Sequence, residues 1–144
     1  MYTIVIPVDT NVERGERATR HVVKLIENGP MTDADAISVT VLNVFKEFKA
    51  VDDGGNVKSN ELYDEDSYPE ALDSVRDLLS EADIAHKLER RHGDPADEII
   101  EYADAVEADL VVIAPRKRSS VGKAMFGSVA QDVMLNTERP TLIV

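Results

Sequence analysis

Five short β-type runs alternate with four amphipathic segments along this chain, and that alternation narrows the fold more than any other feature. Residues 2–8 (YTIVIPV), 36–44 (AISVTVLNV), 84–91, 110–114 (LVVIA) and 140–144 (PTLIV) read as strands. The first and fourth are almost continuously apolar and rich in Val and Ile, the pattern of strands buried on both faces. Helices are expected over about 13–27, 69–82, 94–106 and 126–136. In the first, Ala18, Val22, Leu25 and Ile26 recur at helical spacing. In the third, Asp94-Pro95 supplies a cap followed by proline at the first helical position. A β-α-β-α-β-α-β-α-β order predicts an α/β fold: one domain over 1–144 with a five-stranded, mostly parallel sheet and helices on both faces. Residues 45–66, with the turn cluster Asp52-Asp53-Gly54-Gly55-Asn56, break the pattern and read as an irregular excursion.

At 144 residues and 43% hydrophobic content the chain is long enough for one real core. No run approaches a membrane span, and Met1–Pro7 lacks the basic region of a signal peptide, so a cytoplasmic location is expected and no membrane partner. The absence of cysteine excludes disulfides and thiolate chemistry. The net charge of −12 is unevenly distributed. The first 114 residues hold 11 basic against 26 acidic residues, whereas 115–144 hold five basic against two acidic. An acidic body argues against nucleic acid as a partner, because phosphate backbones need a basic face. It fits a salt-loving host.

In a parallel sheet, ligands bind beyond the carboxyl ends of the strands, where the strand order reverses. The relevant loops are 7–11, 44–47, 91–95 and 114–128. The last contains RKRSSVGKAMFGS (116–128), a cluster of positive charge in an acidic protein. Its Gly122-Lys123 imitates a phosphate-binding loop, but the motif GxxxxGK[ST] needs glycine at 117 and a hydroxyl at 124, where Lys117 and Ala124 stand. A GxGxxG fingerprint is absent. His21, His86 and His92 are scattered, no metal site is expected, and no serine-histidine-aspartate set or other catalytic residue can be singled out.

IVIPVD (4–9), GDPADEIIEYADAVEADLVVIA (93–114) and GKAMFGSVAQDVMLNTERPTLIV (122–144) resemble the universal stress protein family, UspA-like. The resemblance spans both ends and the C-terminal half, and leaves 45–66 outside it. It implies a Rossmann-like fold of the adenine nucleotide alpha hydrolase type, and with the acidic composition a halophilic archaeal source is expected. It also implies a dimeric ATP- or nucleotide-binding or sensing module of the stress response. Nucleotide-binding members carry G-x2-G-x9-G-[ST] after the fourth strand. Here the three glycine positions fall on Ala114, Lys117 and Gly127, so only Gly127-Ser128 matches. Glycine there lets backbone N–H groups approach phosphate and permits positive φ, and Lys117 in a left-handed conformation costs about 1–2 kcal/mol. Arg116, Lys117, Arg118 and Lys123 are placed to neutralise phosphate instead.

By the same resemblance Pro7, Val8 and Asp9 match a P-[TV]-D stretch, with the aspartate near the ribose and the chain edge facing adenine. Val44 and Ile113 match apolar contacts of the nucleotide. Ala114, Arg116, Lys117, Gly127, Ser128 and Val129 complete the expected site, with ATP as ligand and Mg²⁺ as its companion. Pro140–Val144 is an apolar edge that a homodimer would cover. Slow hydrolysis or autophosphorylation on Ser119, Ser120 or Ser128 is the most enzymatic activity implied. The alternative is a dimeric interaction protein that does not bind ATP and uses the 116–123 loop or the dimer surface. A nucleotide-transferring enzyme is disfavoured because strand one carries no histidine-rich motif.

Overall fold

The computed structural model describes residues 1–29, 33–45, 70–120 and 123–144, with backbone only at 34, 117–120 and 123–126. The expected excursion at 45–66 lies outside the described residues apart from Phe45. Strands β1 (Tyr2–Val8), β2 (Ile37–Phe45), β3 (His86–His92), β4 (Leu110–Ile113) and β7 (Thr141–Ile143) form one parallel sheet in the order β3-β2-β1-β4-β7. Helices α1 (Val12–Asn28), α2 (Glu70–Glu81), α3 (Pro95–Ala105) and α4 (Ser128–Asn136) connect them. A short 3₁₀ turn at Ala34–Ala36 precedes β2. Among the described residues no helix is long and apolar enough to cross a membrane.

Strand pleating divides the core into two layers. Ile4, Ile6, Val8, Val39, Val41 and Val112 face α1 and α2, while Val5, Leu42, Val111 and Ile113 face α3 and α4. β1 lies at the centre, and its Ile4, Val5 and Ile6 have no exposed surface. This is the physical meaning of its uninterrupted apolar run: both faces are covered.

Helix α1 begins because the Asn11 side chain accepts the Arg14 N–H at 2.8 Å, and it buries Gly15, Ala18, Thr19, Val22 and Ile26 along one stripe. A glycine inside a helix ordinarily weakens it. At Gly15 a Cβ would stand 3.1 Å from Val8 Cγ1 and 3.2 Å from Val75 Cγ2, so its absence lets α1 approach β1 and α2 closely. Nearby, Ser74 of α2 donates a hydrogen bond to Glu16 of α1. That bond, followed by Arg20, holds the Glu16 carboxyl below its ordinary value. A depressed carboxyl contributes stability above its unfolded-state pKa and loses it as pH falls through the folded value. Ser74→Ala is therefore expected to raise the Glu16 pKa and to flatten the loss of stability on acidification, as NMR titration of Glu16 would measure.

Two sequence-based boundaries move. The segment 114–128, read as a loop, contains an antiparallel pair of strands, β5 (Lys117–Ser120) and β6 (Lys123–Phe126), in register from Lys117↔Phe126 to Ser120↔Lys123. Its two four-residue strands pair with each other rather than with the main sheet, so they lack the apolar run that marks a central strand. Lys117 consequently opens an extended strand, so the left-handed cost weighed for a lysine at that glycine position does not arise. Helix α4 starts at Ser128, with Gly127 as its N-cap, rather than at about 126.

Candidate functional site

β2 follows β1 on one side and β4 lies on the other, so the strand order reverses between β1 and β4. A cleft of about 620 Å³ opens there, over the carboxyl ends of the strands. Pro7 and Val8 reach it from the end of β1, Asp9 from the turn beyond, Val44 from β2 and Ile113 from β4. Ala114 and Arg116 enter from the turn after β4, and Gly127, Ser128 and Val129 from the start of α4. Ten of the eleven residues singled out in the sequence thus line one cleft. The eleventh, Lys117, has its backbone in β5, and its side chain lies outside the described atoms, as do those of Arg118, Ser119, Ser120 and Lys123.

The walls are chemically uneven. Val8, Leu42, Ile99, Ile113 and Ala130 are buried and give an apolar middle, with Phe45 and Pro95 at the β2 end. One rim carries Asp9 and Arg14, and the α4 end carries Arg116 and Ser128. Asp9 does not cap α1, a role taken by Asn11. Its Oδ1 accepts the Asn11 N–H at 2.8 Å and its Oδ2 accepts Arg14 Nη2 at 2.6 Å. A carboxylate offers about four acceptor positions, so capacity remains on this exposed group.

At the opposite end, α4 presents the amides of its first turn, which have no acceptor within the helix. Gly127 makes no side-chain cap, and its φ of −62° is an ordinary value, so positive φ is not its reason for being glycine. The Gly127 N–H is already donated to the Arg116 carbonyl at 3.1 Å. The donors left facing an anion are therefore those of the following residues, beginning with Ser128, which is exposed. The helix dipole favours negative charge at that point.

Of the other lining residues, Thr10, Phe45, Pro95 and Pro115 fall in the loops expected to matter without being singled out, and Arg14, Gly15, Leu42, Asn43, Ile99 and Ala130 escaped the sequence reading. Asn43 had a visible signal, a polar residue inside an otherwise apolar strand. It is 2% exposed and donates from Nδ2 to the Val8 carbonyl at 2.9 Å, joining the ends of β1 and β2 beneath the cleft. Among the described residues no group of three or more His, Asp or Glu side chains is arranged to hold a metal ion.

With this geometry in place, the family model described as the universal stress protein family matches residues 1–144. The chain belongs to the universal stress protein family. It is 29% identical over 141 residues to a universal stress protein of Methanocaldococcus jannaschii, covering 98% of this chain and 80% of that protein. The solved universal stress protein of Archaeoglobus fulgidus is similar with a TM-score of 0.74 at 27% identity, covering 99% of this chain and 98% of the other. An Archaeoglobus fulgidus universal stress protein in complex with dAMP is similar in fold, with a TM-score of 0.67 at 22% identity over 99% and 97% of the two chains. The five-stranded parallel sheet with helices on both faces is the Rossmann-like architecture of this family.

Proposed function

We propose that this universal stress protein binds an adenine nucleotide in the cleft between β1 and β4, as a sensing module rather than a metabolic enzyme. The meeting of ten residues, named from the family resemblance, in one cleft at the switch point carries this reading. Val8, Val44 and Ile113 offer apolar surface to the base. Asp9 has acceptor capacity for ribose hydroxyls, and Ser128, Val129 and Arg116 stand where phosphate charge would be met. The dAMP complex of the Archaeoglobus relative supports the same assignment. ATP is proposed as one ligand, with Mg²⁺ only as its companion.

We further propose that the protein is cytoplasmic, that its acidic composition suits a salt-rich host, and that it pairs as a homodimer through residues 140–144. β7 is an edge strand bonded to β4 on one side, Thr141–Val144 are only partly buried, and Leu135 on the adjoining α4 is 81% exposed. Such an edge is protected when a second copy covers it.

Denaturing freshly purified protein and analysing what is released tests the nucleotide reading, together with calorimetric titration of the stripped protein. Adenine nucleotide is expected in the released fraction. Asp9→Ala is expected to weaken binding by about 10- to 100-fold, the effect of losing hydrogen bonds to a charged group. No released nucleotide and no heat with AMP or ATP would overturn the reading.

A further inference from the structure

The arginines of α1 are used unequally. Arg14 pairs with Asp9 at 2.6 Å and Arg20 with Glu16 at 2.9 Å. Arg17 lies between them, partly buried, and among the described residues no carboxylate lies within 4.0 Å of it. Its Nη2 donates instead to the carbonyl of Pro115 at 3.1 Å, across 98 residues of sequence, and its Nε is buried without a partner. Withdrawing a guanidinium from water without a counter-charge is unfavourable. A neutral carbonyl compensates only part of that cost.

The acceptor is the informative part of the contact. Pro115 is the middle residue of the turn that carries the chain from β4 into the phosphate end of the cleft. Proline has no N–H, so its carbonyl is the one main-chain polar group by which it can be held. The next carbonyl, of Arg116, accepts the Gly127 N–H at 3.1 Å. Two successive carbonyls are thus anchored, one to α1 and one to the N-cap of α4. The peptides are trans, so fixing the Pro115 oxygen also fixes the opposite direction of the Arg116 N–H.

We infer that Arg17 is the positioning residue of the phosphate end. It sets the Pro115–Arg116 peptide and places behind the turn a positive charge that no carboxylate among the described residues pairs. This rests on the nucleotide reading above and deepens it. Where related signatures place glycine, this chain has Ala114 and Lys117, and the strap from α1 holds the turn in one arrangement. The charge of Arg17 acts on the phosphate through the turn rather than by contact. Its effect is therefore specific to ligands that carry phosphate.

The test compares Arg17→Met, which keeps the aliphatic stem, with Arg17→Lys, which keeps the charge and a donor group able to reach a carbonyl. Amide hydrogen exchange over 113–129 is measured without ligand, and AMP and adenosine are titrated by calorimetry. Arg17→Met is expected to accelerate exchange in that segment alone and to weaken AMP about 10- to 100-fold, with adenosine changed less than about threefold. Arg17→Lys is expected to recover most of the AMP affinity. Unchanged exchange, parallel losses for AMP and adenosine, or lysine no better than methionine would overturn the assignment. If wild-type protein binds neither ligand, the nucleotide reading fails and the phosphate role of Arg17 with it, while the exchange result separately decides whether the strap exists.

Discussion

Leu42→Ala is expected to lower the unfolding free energy by about 2–5 kcal/mol, the range for truncating a fully buried leucine. Leu42 has no exposed surface, packs with the layer formed by Val5, Ile99, Ala103 and Val111, and also lines the cleft. The substitution removes contacts that α3 makes on β2 and leaves a void that adjoins the ligand space. Chemical denaturation should show a lower midpoint with little change in slope, because the surface exposed on unfolding barely changes. A loss below about 1 kcal/mol would mean that the site collapses around the smaller side chain, and that Leu42 is not held in the close packing its burial implies.

Gly93→Ala should destabilise by about 2–3 kcal/mol, from a backbone conformation that costs a residue with a side chain roughly 1–3 kcal/mol and from a collision. Gly93 has φ of +142°, and its N–H donates to the Phe45 carbonyl at 2.9 Å, tying the exits of β2 and β3 together. A Cβ there would stand 2.8 Å from Glu98 Oε1 and 3.1 Å from Glu98 Cγ. Glu98 can swing aside, and its pair with Arg91 at 3.9 Å is a loose one that does little to hold it in place. The two contributions are separable: adding Glu98→Ala should relieve the collision and leave the backbone cost. The start of α3 lies directly beyond, so displaced Pro95 and Ile99 should also reduce nucleotide affinity. A fully stable Gly93→Ala protein would contradict the described turn.

The β-α alternation was legible because each element states its environment locally. YTIVIPV reads as a strand covered on both faces, as Ile4, Val5 and Ile6 are, and Asp94-Pro95 starts a helix by chemistry contained in a few residues: the Asp94 side chain accepts the Asp97 N–H at 3.1 Å. The cleft was legible to the extent that it is built from the ends of those strands. The pairing of 117–120 with 123–126 was not, since KRSS and KAMF pair with each other away from the main sheet and neither reads as a long β-branched run. Arg17 was also hidden. On a helix it reads as one more solvated charge, and its partner lies 98 residues away. Arg14 is similar, because only the folded turn brings it onto Asp9. Gly15 and Asn43 did carry a signal, each being a residue at odds with its own element, and the structure explains both by close packing and by a bond between strand ends.

The central claim is that one adenine nucleotide occupies the cleft between β1 and β4. Titrating isotopically labelled protein with AMP while following backbone amide resonances tests it most directly. The amides of Val8, Asp9, Val44, Ile113, Ser128 and Val129 should move together and saturate at one ligand per chain, while those of Lys87 and Leu88 on the outer strand β3 stay in place. Absence of any saturable shift, or shifts gathered on β3 or β7 away from the cleft, would contradict it.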